Sequence, residues 1–257
     1  VDPKAYLVTG TSSGIGGAIG RLLASDGHRI IGTHNSNDDA ADEAVREGWL
    51  AESIKVDLSS VEARGRLITR VAAIGPLAGV VNNAAEIDFT PWEQFSIDEW
   101  KRVFEVNVHA PVHIAHALRH QIEDGGAIVN IASTDGMTGT FASPAYAASK
   151  AALINATKSL GNVLGGRGVR VNAIAPGWVD TGMSTDASYA AGDQTPLGRN
   201  ARPDEIAKAA RFLLGPDASF FNGSTMIVDG GYTNVDVIML QELRDLEAED
   251  STERAPD

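Results

Sequence analysis

Residues 146–150, YAASK, place a phenol and an ammonium four positions apart. They fall in a run from Pro144 to Leu160 that otherwise reads as a helix of small residues. Four residues is about one helical turn, so Tyr146 and Lys150 share a face. A free tyrosine has a pKa of about 10, too high for a base near neutrality. A lysine ammonium one turn away would stabilise the phenolate and lower that value. Such a tyrosine can exchange a proton with an alcohol or ketone oxygen while a hydride moves. Ser133, thirteen residues before Tyr146, closes an apolar run and offers a hydroxyl to hold the same oxygen. The competing reading is a surface tyrosine beside a surface lysine.

A second chemical element lies near the N-terminus. In VTGTSSGIGGAIG, Gly10, Gly14 and Gly16 join an apolar run to a helical pattern. Glycines let the backbone approach a ligand, and the helix opening near Ile15 points free N–H groups and a positive dipole end at the turn. That arrangement suits a pyrophosphate, although the spacing is not the generic G-x-G-x-x-G.

The elements that must carry these residues alternate along the chain. Apolar runs at 5–10, 28–33, 52–57, 77–82, 126–133, 169–175 and 225–230 are separated by helical patterns near 15–26, 38–47, 60–74, 96–122, 144–165 and 203–214. Strands apolar on both faces, alternating with helices, predict a seven-stranded, mainly parallel sheet in a doubly wound α/β layer fold, with ligands at the carboxyl ends of the strands. One domain is expected over 1–232, with a weakly patterned lid at 182–200. Residues 233–257 hold eight acids and two arginines. They are read as an acidic extension in which Val237, Leu240 and Leu243 line one helix stripe, with disorder past Glu247. The net charge of −13 argues against nucleic acid and anionic membranes as partners, and the absence of cysteine excludes thiolate chemistry. With no signal-peptide layout and no membrane-length apolar run, a cytoplasmic location is expected.

Taken together the motifs resemble the short-chain dehydrogenases/reductases, the single-domain group of about 250 residues with a Rossmann-like fold. The likeness rests on TGTSSGIG (9–16), VDL (56–58), NNAA (82–85), VNV (106–108), NIAS (130–133), YAASK (146–150), VNAIAPGWVDT (171–181) and DGGY (229–232). It implies an NAD(P)-dependent oxidoreductase acting on a carbonyl or secondary alcohol. Tyr146 would be the general acid/base, and Lys150 would tune it and bond the nicotinamide ribose. Ser133 would orient the substrate oxygen, and Asn107 would hold a water in a relay to Lys150. Gly10, Ser12, Ser13, Gly14, Ile15 and Gly16 would surround the phosphates, with Asp57 and Leu58 at the adenine. Asn83, Ala84 and Ala85 would line the cofactor, and Asn82 would support the sheet beside it. Pro176, Gly177, Val179 and Thr181 would flank the nicotinamide. Ala85 stands where the family usually has glycine, which puts a methyl near the cofactor.

At the end of the second strand, His34, Asn35 and Ser36 offer neither the acid of an NAD site nor the arginine of an NADP site. Their polar donors favour NADP over NAD, and a solvated loop histidine is the bland alternative. Ser133, Asp135, Trp178 and Met183 are the expected substrate contacts, with Met137 and Glu86 nearby. Carboxylates there favour a hydroxylated or amine-bearing small substrate. A 3-oxoacyl-carrier-protein type of reductase is the alternative enzyme, and a non-catalytic NADP(H)-binding sensor is the alternative from another class. No metal site is expected. The segment 108–120 carries His109, His113, His116 and His120 at spacings of 4, 3 and 4, a stripe opposite Phe104, Asn107, Ile114, Leu118 and Ile122. Solvated face, metal site and subunit contact all fit that stripe. The resemblance favours the contact, in a homodimer or homotetramer.

Overall fold

The computed structural model describes residues 3–181 and 191–253. Seven strands, β1 (Ala5–Val8), β2 (Arg29–His34), β3 (Glu52–Lys55), β4 (Leu77–Asn82), β5 (Ile122–Ile131), β6 (Arg170–Pro176) and β7 (Thr225–Val228), form one sheet in the order 3-2-1-4-5-6-7. Every pairing is parallel. The alternating side-chain direction of strands sorts their apolar residues into two cores. Leu7, Ile31, Val80, Ile128 and Val171 face one side, while Val8, Ile30, Val81, Val129 and Ile174 face the other. Full burial of each such side chain stabilises by about 1.5–3 kcal/mol.

The second core is covered by α1 (Gly14–Ser25) and α7 (Pro203–Leu214). The first is covered by α3 (Val61–Ile74), by α5 (Ala110–Ala117) and by the C-terminal part of α6 (Pro144–Leu164). The shorter α2 (Asp38–Arg46) packs beside β3. Several starts follow local chemistry. Asn37, Ser60 and Ser96 cap α2, α3 and α4 (Ile97–Phe104) by accepting the third N–H of each helix. Pro203 opens α7, and Glu205 turns back to accept the Arg202 N–H.

One expectation needs correction. The helix read as continuous over 96–122 is broken. After α4 the turn Glu105–His109 widens into a π-helix, in which the Ala110 N–H reaches Glu105 O, before α5 resumes. Helix then gives way to sheet before residue 122. The Gln121 carbonyl accepts the Leu77 N–H, and Ile122 pairs with Leu77 as the first residue of β5. In the C-terminal extension, α8 runs from Val237 to Glu253. Its leucines, glutamates, Met239, Gln241, Arg244 and Ala248 are strong helix formers, and an i,i+4 bond from Gln241 to Asp245 supports its middle.

Candidate active site

The carboxyl ends of β1, β4, β5 and β6 bring the chemical residues to one rim. Past β1, Gly10 and Gly14 adopt positive φ, 71° and 55°. A Cβ on Gly16 would lie 2.1 Å from the Gly10 carbonyl, so only glycine permits this turn to close. The turn is tied down from behind. Gly10 N–H donates to Thr33 Oγ1, Thr11 N–H to Thr33 O, and Asn83 Nδ2 to the Thr9 and Gly10 carbonyls. Asn83 and Ala84 both donate their N–H to Thr9 Oγ1. Ser13 precedes α1, but its hydroxyl caps no helix N–H. The first-turn donors at Gly14, Ile15 and Gly16 therefore lack a side-chain cap from Ser13, which fits an anionic ligand. Thr181, at the far end of PGWVDT, packs against Gly14. Ala85 does not need a glycine conformation, because no non-glycine residue described has positive φ; the residue is exposed.

Ser133 stands two residues beyond β5 and starts a short 3-10 turn, Thr134–Gly136, accepting the Asp135 N–H at 3.1 Å. A Cβ on Gly136 would sit 2.7 Å from the Lys150 backbone, so this glycine lets the turn press directly onto α6. Lys150 is 2 % exposed. Its Nζ donates to Ile131 O at 2.8 Å and stands 5.3 Å from the centre of the Tyr146 ring. Burial pushes the Tyr146 hydroxyl up to about 12; a hydrogen bond with Ser133 opposes this, and the Asp135 charge adds to it. Burial drives the Lys150 ammonium down to about 7. Burial, not the Lys150 charge, thus decides the direction of the Tyr146 shift. Both groups leave water together, and desolvation disfavours each charge before either can help the other.

Asn107 lies on the π-turn and is fully buried. Its amide donates to Glu86 O and Ser149 Oγ and accepts the Glu86 N–H, and Ser149 Oγ donates in turn to Tyr146 O. The loop after NNAA is thereby locked to the helix that carries Tyr146. Asn82 donates to Asn130 Oδ1, and Asn130 to Thr157 on α6, a buried polar chain across the sheet. Asp57 accepts from Ser59 rather than capping α3, and bonding to Ser59 outweighs burial to hold its carboxyl below the usual range. Leu58 is buried, and its carbonyl is held by Arg64. At the other edge Gly177 donates to Val228 O and packs against Asp229, and Val179 forms a bridge with Ala201. Trp178 and Met137 remain exposed. Met183 and the rest of 182–190, the first part of the expected lid, lie outside the described residues.

His34 is the last residue of β2 and is buried, not a solvated loop residue. Its ring nitrogens meet Ser53 Oγ at 2.8 Å and Asp38 Oδ1 at 3.1 Å. Asn35 and Ser36 follow it in exposed positions. Three contributors escaped the sequence reading. Lys55 faces His34 in the β2–β3 register and bonds Asp38 at 2.7 Å, bringing a cation to the end of β2. Arg64, 3 % exposed, clamps Leu58 O, Glu105 O and the Glu105 carboxylate, joining the Asp57–Leu58 turn to the π-turn. Ser149 links Asn107 to Tyr146. A basic residue just before VDL and a serine inside YAASK were the only signals available.

A glycine turn at β1, paired with a serine, tyrosine and lysine past β5, defines a nucleotide-dependent oxidoreductase. The family model described as enoyl-(acyl carrier protein) reductase matches residues 10–233. A cis-4-hydroxycyclohexanecarboxylate dehydrogenase of Sinomonas cyclohexanicum is 38% identical over 242 residues, covering 90% of this chain and 97% of its own. A 3-oxoacyl-[acyl-carrier-protein] reductase, FabG, of Vibrio harveyi is 35% identical, with coverage of 90% and 98%. A short-chain dehydrogenase of Burkholderia cenocepacia, solved in complex with NADP, superposes with a TM-score of 0.83 at 32% identity, covering 90% of this chain and 98% of that one. The chain belongs to the short-chain dehydrogenase/reductase family. It is an NAD(P)-dependent oxidoreductase acting on CH–OH and C=O groups.

Proposed function

We propose that residues 1–232 form the catalytic domain of a dehydrogenase/reductase for a small polar carbonyl or secondary alcohol, with Tyr146 as its general acid/base. The observation that carries this reading is the juxtaposition of Ser133, Tyr146 and buried Lys150 at the rim that also holds the glycine turn. The nicotinamide supplies or accepts the hydride. In the reducing direction Ser133 Oγ holds the carbonyl oxygen and Tyr146, protonated at neutral pH, delivers its proton there. Lys150 sits beside the phenol as the next proton donor or acceptor, and Asn107 fixes the helix that presents both.

Gly10, Ser12, Ser13, Gly14, Ile15 and Gly16 receive the phosphates. Asp57 and Leu58 border the adenine, Asn83 to Ala85 the middle of the cofactor, and Pro176, Gly177, Val179 and Thr181 its nicotinamide end. Lys55, beside His34, supports NADP over NAD, since it supplies the cation that the sequence reading missed. No helix among the described residues is long and apolar enough to cross a membrane, which is compatible with a cytoplasmic enzyme. The exposed face bearing His109, His113 and His116 is the proposed contact of a homo-oligomer.

Steady-state oxidation of NADPH and NADH against a panel of small ketones tests the reading. Turnover of at least one small ketone is expected, with NADPH preferred. Acyl-thioester turnover alone would transfer the assignment to a carrier-protein type of reductase. Cofactor binding without turnover of any carbonyl would leave a sensor.

A further inference from the structure

Asp135 is the residue that the chemistry above does not use. It follows Ser133 by two positions, and the only bond it forms with Ser133 is made by its backbone N–H. Its side chain is half-buried and has no hydrogen bond or ion pair among the described residues. Residues 182–190 contain no lysine, arginine or histidine that could neutralise it. The other charged groups at this rim are already engaged. Glu86 lies 3.5 Å from Arg102, Asp180 accepts from Asn200, and Lys150 donates to Ile131 O. The Asp135 charge nevertheless reaches the Tyr146 hydroxyl, and burial holds its own carboxyl above the usual range. A half-desolvated carboxylate without a counter-charge is costly, and an incoming cation relieves that cost.

We infer that Asp135 is a substrate-recognition site for an ammonium group carried close to the reacting carbon, making amino alcohols and amino ketones the favoured substrate class. The inference rests on Ser133 and Tyr146 holding the reacting oxygen. A carboxylate beside that oxygen repels substrates bearing an anion at the same place and attracts a cation, and the exposed Met137 and Trp178 leave apolar surface near the site for the rest of the molecule.

The test uses four alcohols that share the 1-phenyl carbinol and differ in the neighbouring group. They are 2-amino-1-phenylethanol, 1-phenylethane-1,2-diol, 1-phenyl-1-propanol and mandelate. At neutral pH the amine should exceed the propanol in kcat/KM by about tenfold or more, as a charge-assisted hydrogen bond would give, with mandelate the poorest. In Asp135→Asn, and in Asp135→Ser as a second variant, the amine-to-propanol ratio should fall to within about twofold. Dissociation constants for the same four compounds, from competition on the NADPH-loaded enzyme by nucleotide fluorescence, should follow the same order. A ratio near one in the wild type, or an unchanged ratio in both variants, overturns the inference. If none of the four is oxidised, the reaction assigned above is called into question, and the dissociation constants alone decide the role of Asp135.

Discussion

At the scale of the residue, the site is governed by desolvation. Tyr146 is held protonated and Lys150 is held near the point of losing its charge, both chiefly by burial. Replacing Tyr146 by Phe keeps the ring and removes only the proton carrier. Turnover should fall by about a hundred- to ten-thousandfold, with the NADPH dissociation constant nearly unchanged. Ketone reduction near the wild-type rate would remove Tyr146 from its role. Lys150 also links stability to pH. Its folded pKa of about 7 lies below the ordinary lysine value of 10.5, so the folded chain binds fewer protons across that window and Lys150 makes stability rise with pH there. Lys150→Met abolishes this contribution. The melting temperature of the variant relative to wild type should be highest at pH 7 and below, and should decline as pH approaches 10.5. A difference constant with pH would mean that Lys150 keeps an ordinary pKa in the fold. Tyr146, Lys150 and Ser133 were legible because their types and spacing state the chemistry. The balance of their pKa values was not, because it depends on how deeply neighbouring elements bury them.

At the scale of the element, position is set by register and close approach. Lys55 and His34 are far apart in sequence and side by side in the sheet because β2 and β3 pair in parallel. Lys55→Met should weaken NADPH binding by about tenfold while leaving NADH almost unaffected. Equal effects on both cofactors, by fluorescence titration, would separate Lys55 from the 2′-phosphate. The 3-10 turn after Ser133 rests on α6 through Gly136, where an added methyl meets Lys150 backbone. Gly136→Ala should cost about 1–3 kcal/mol in denaturant unfolding and lower kcat, since the turn must retreat from the helix. Unchanged stability would show that the turn has room to move. The order and type of nearly all elements could be read from alternating apolar runs and helical patterns. The π-turn could not, because VNV is as compatible with an unbroken helix as with a widened one. Contacts made by buried Arg64 and Asn107 distinguish the two, and they come from residues distant in sequence.

At the scale of the whole molecule, the face formed by α5 and the π-turn is the proposed contact between copies. A cleft of about 390 Å³ there is lined by Arg64, Glu105, His109, Val112, His113 and His116. Glu105 already pairs with Arg64 and His109, leaving His113 and His116 without a carboxylate partner among the described residues. His120 falls in the turn after α5, beyond the helical stripe. If two copies meet on this face, Val112→Glu should weaken the oligomer in sedimentation, and an unchanged mass and dissociation constant would rule the face out as the contact. The C-terminal helix has a different tie to the body. Arg244 on α8 donates to the Thr195 carbonyl, in the segment where Leu197 N–H reaches Gly230 O and Pro196 packs on Gly231. The acidic extension is thus fastened to the described stretch around Thr195–Leu197. Anything joined beyond α8, whether an affinity tag, a fused reporter or an immobilising support, pulls on the same anchor at Thr195. The opposite terminus is the safer place for an attachment.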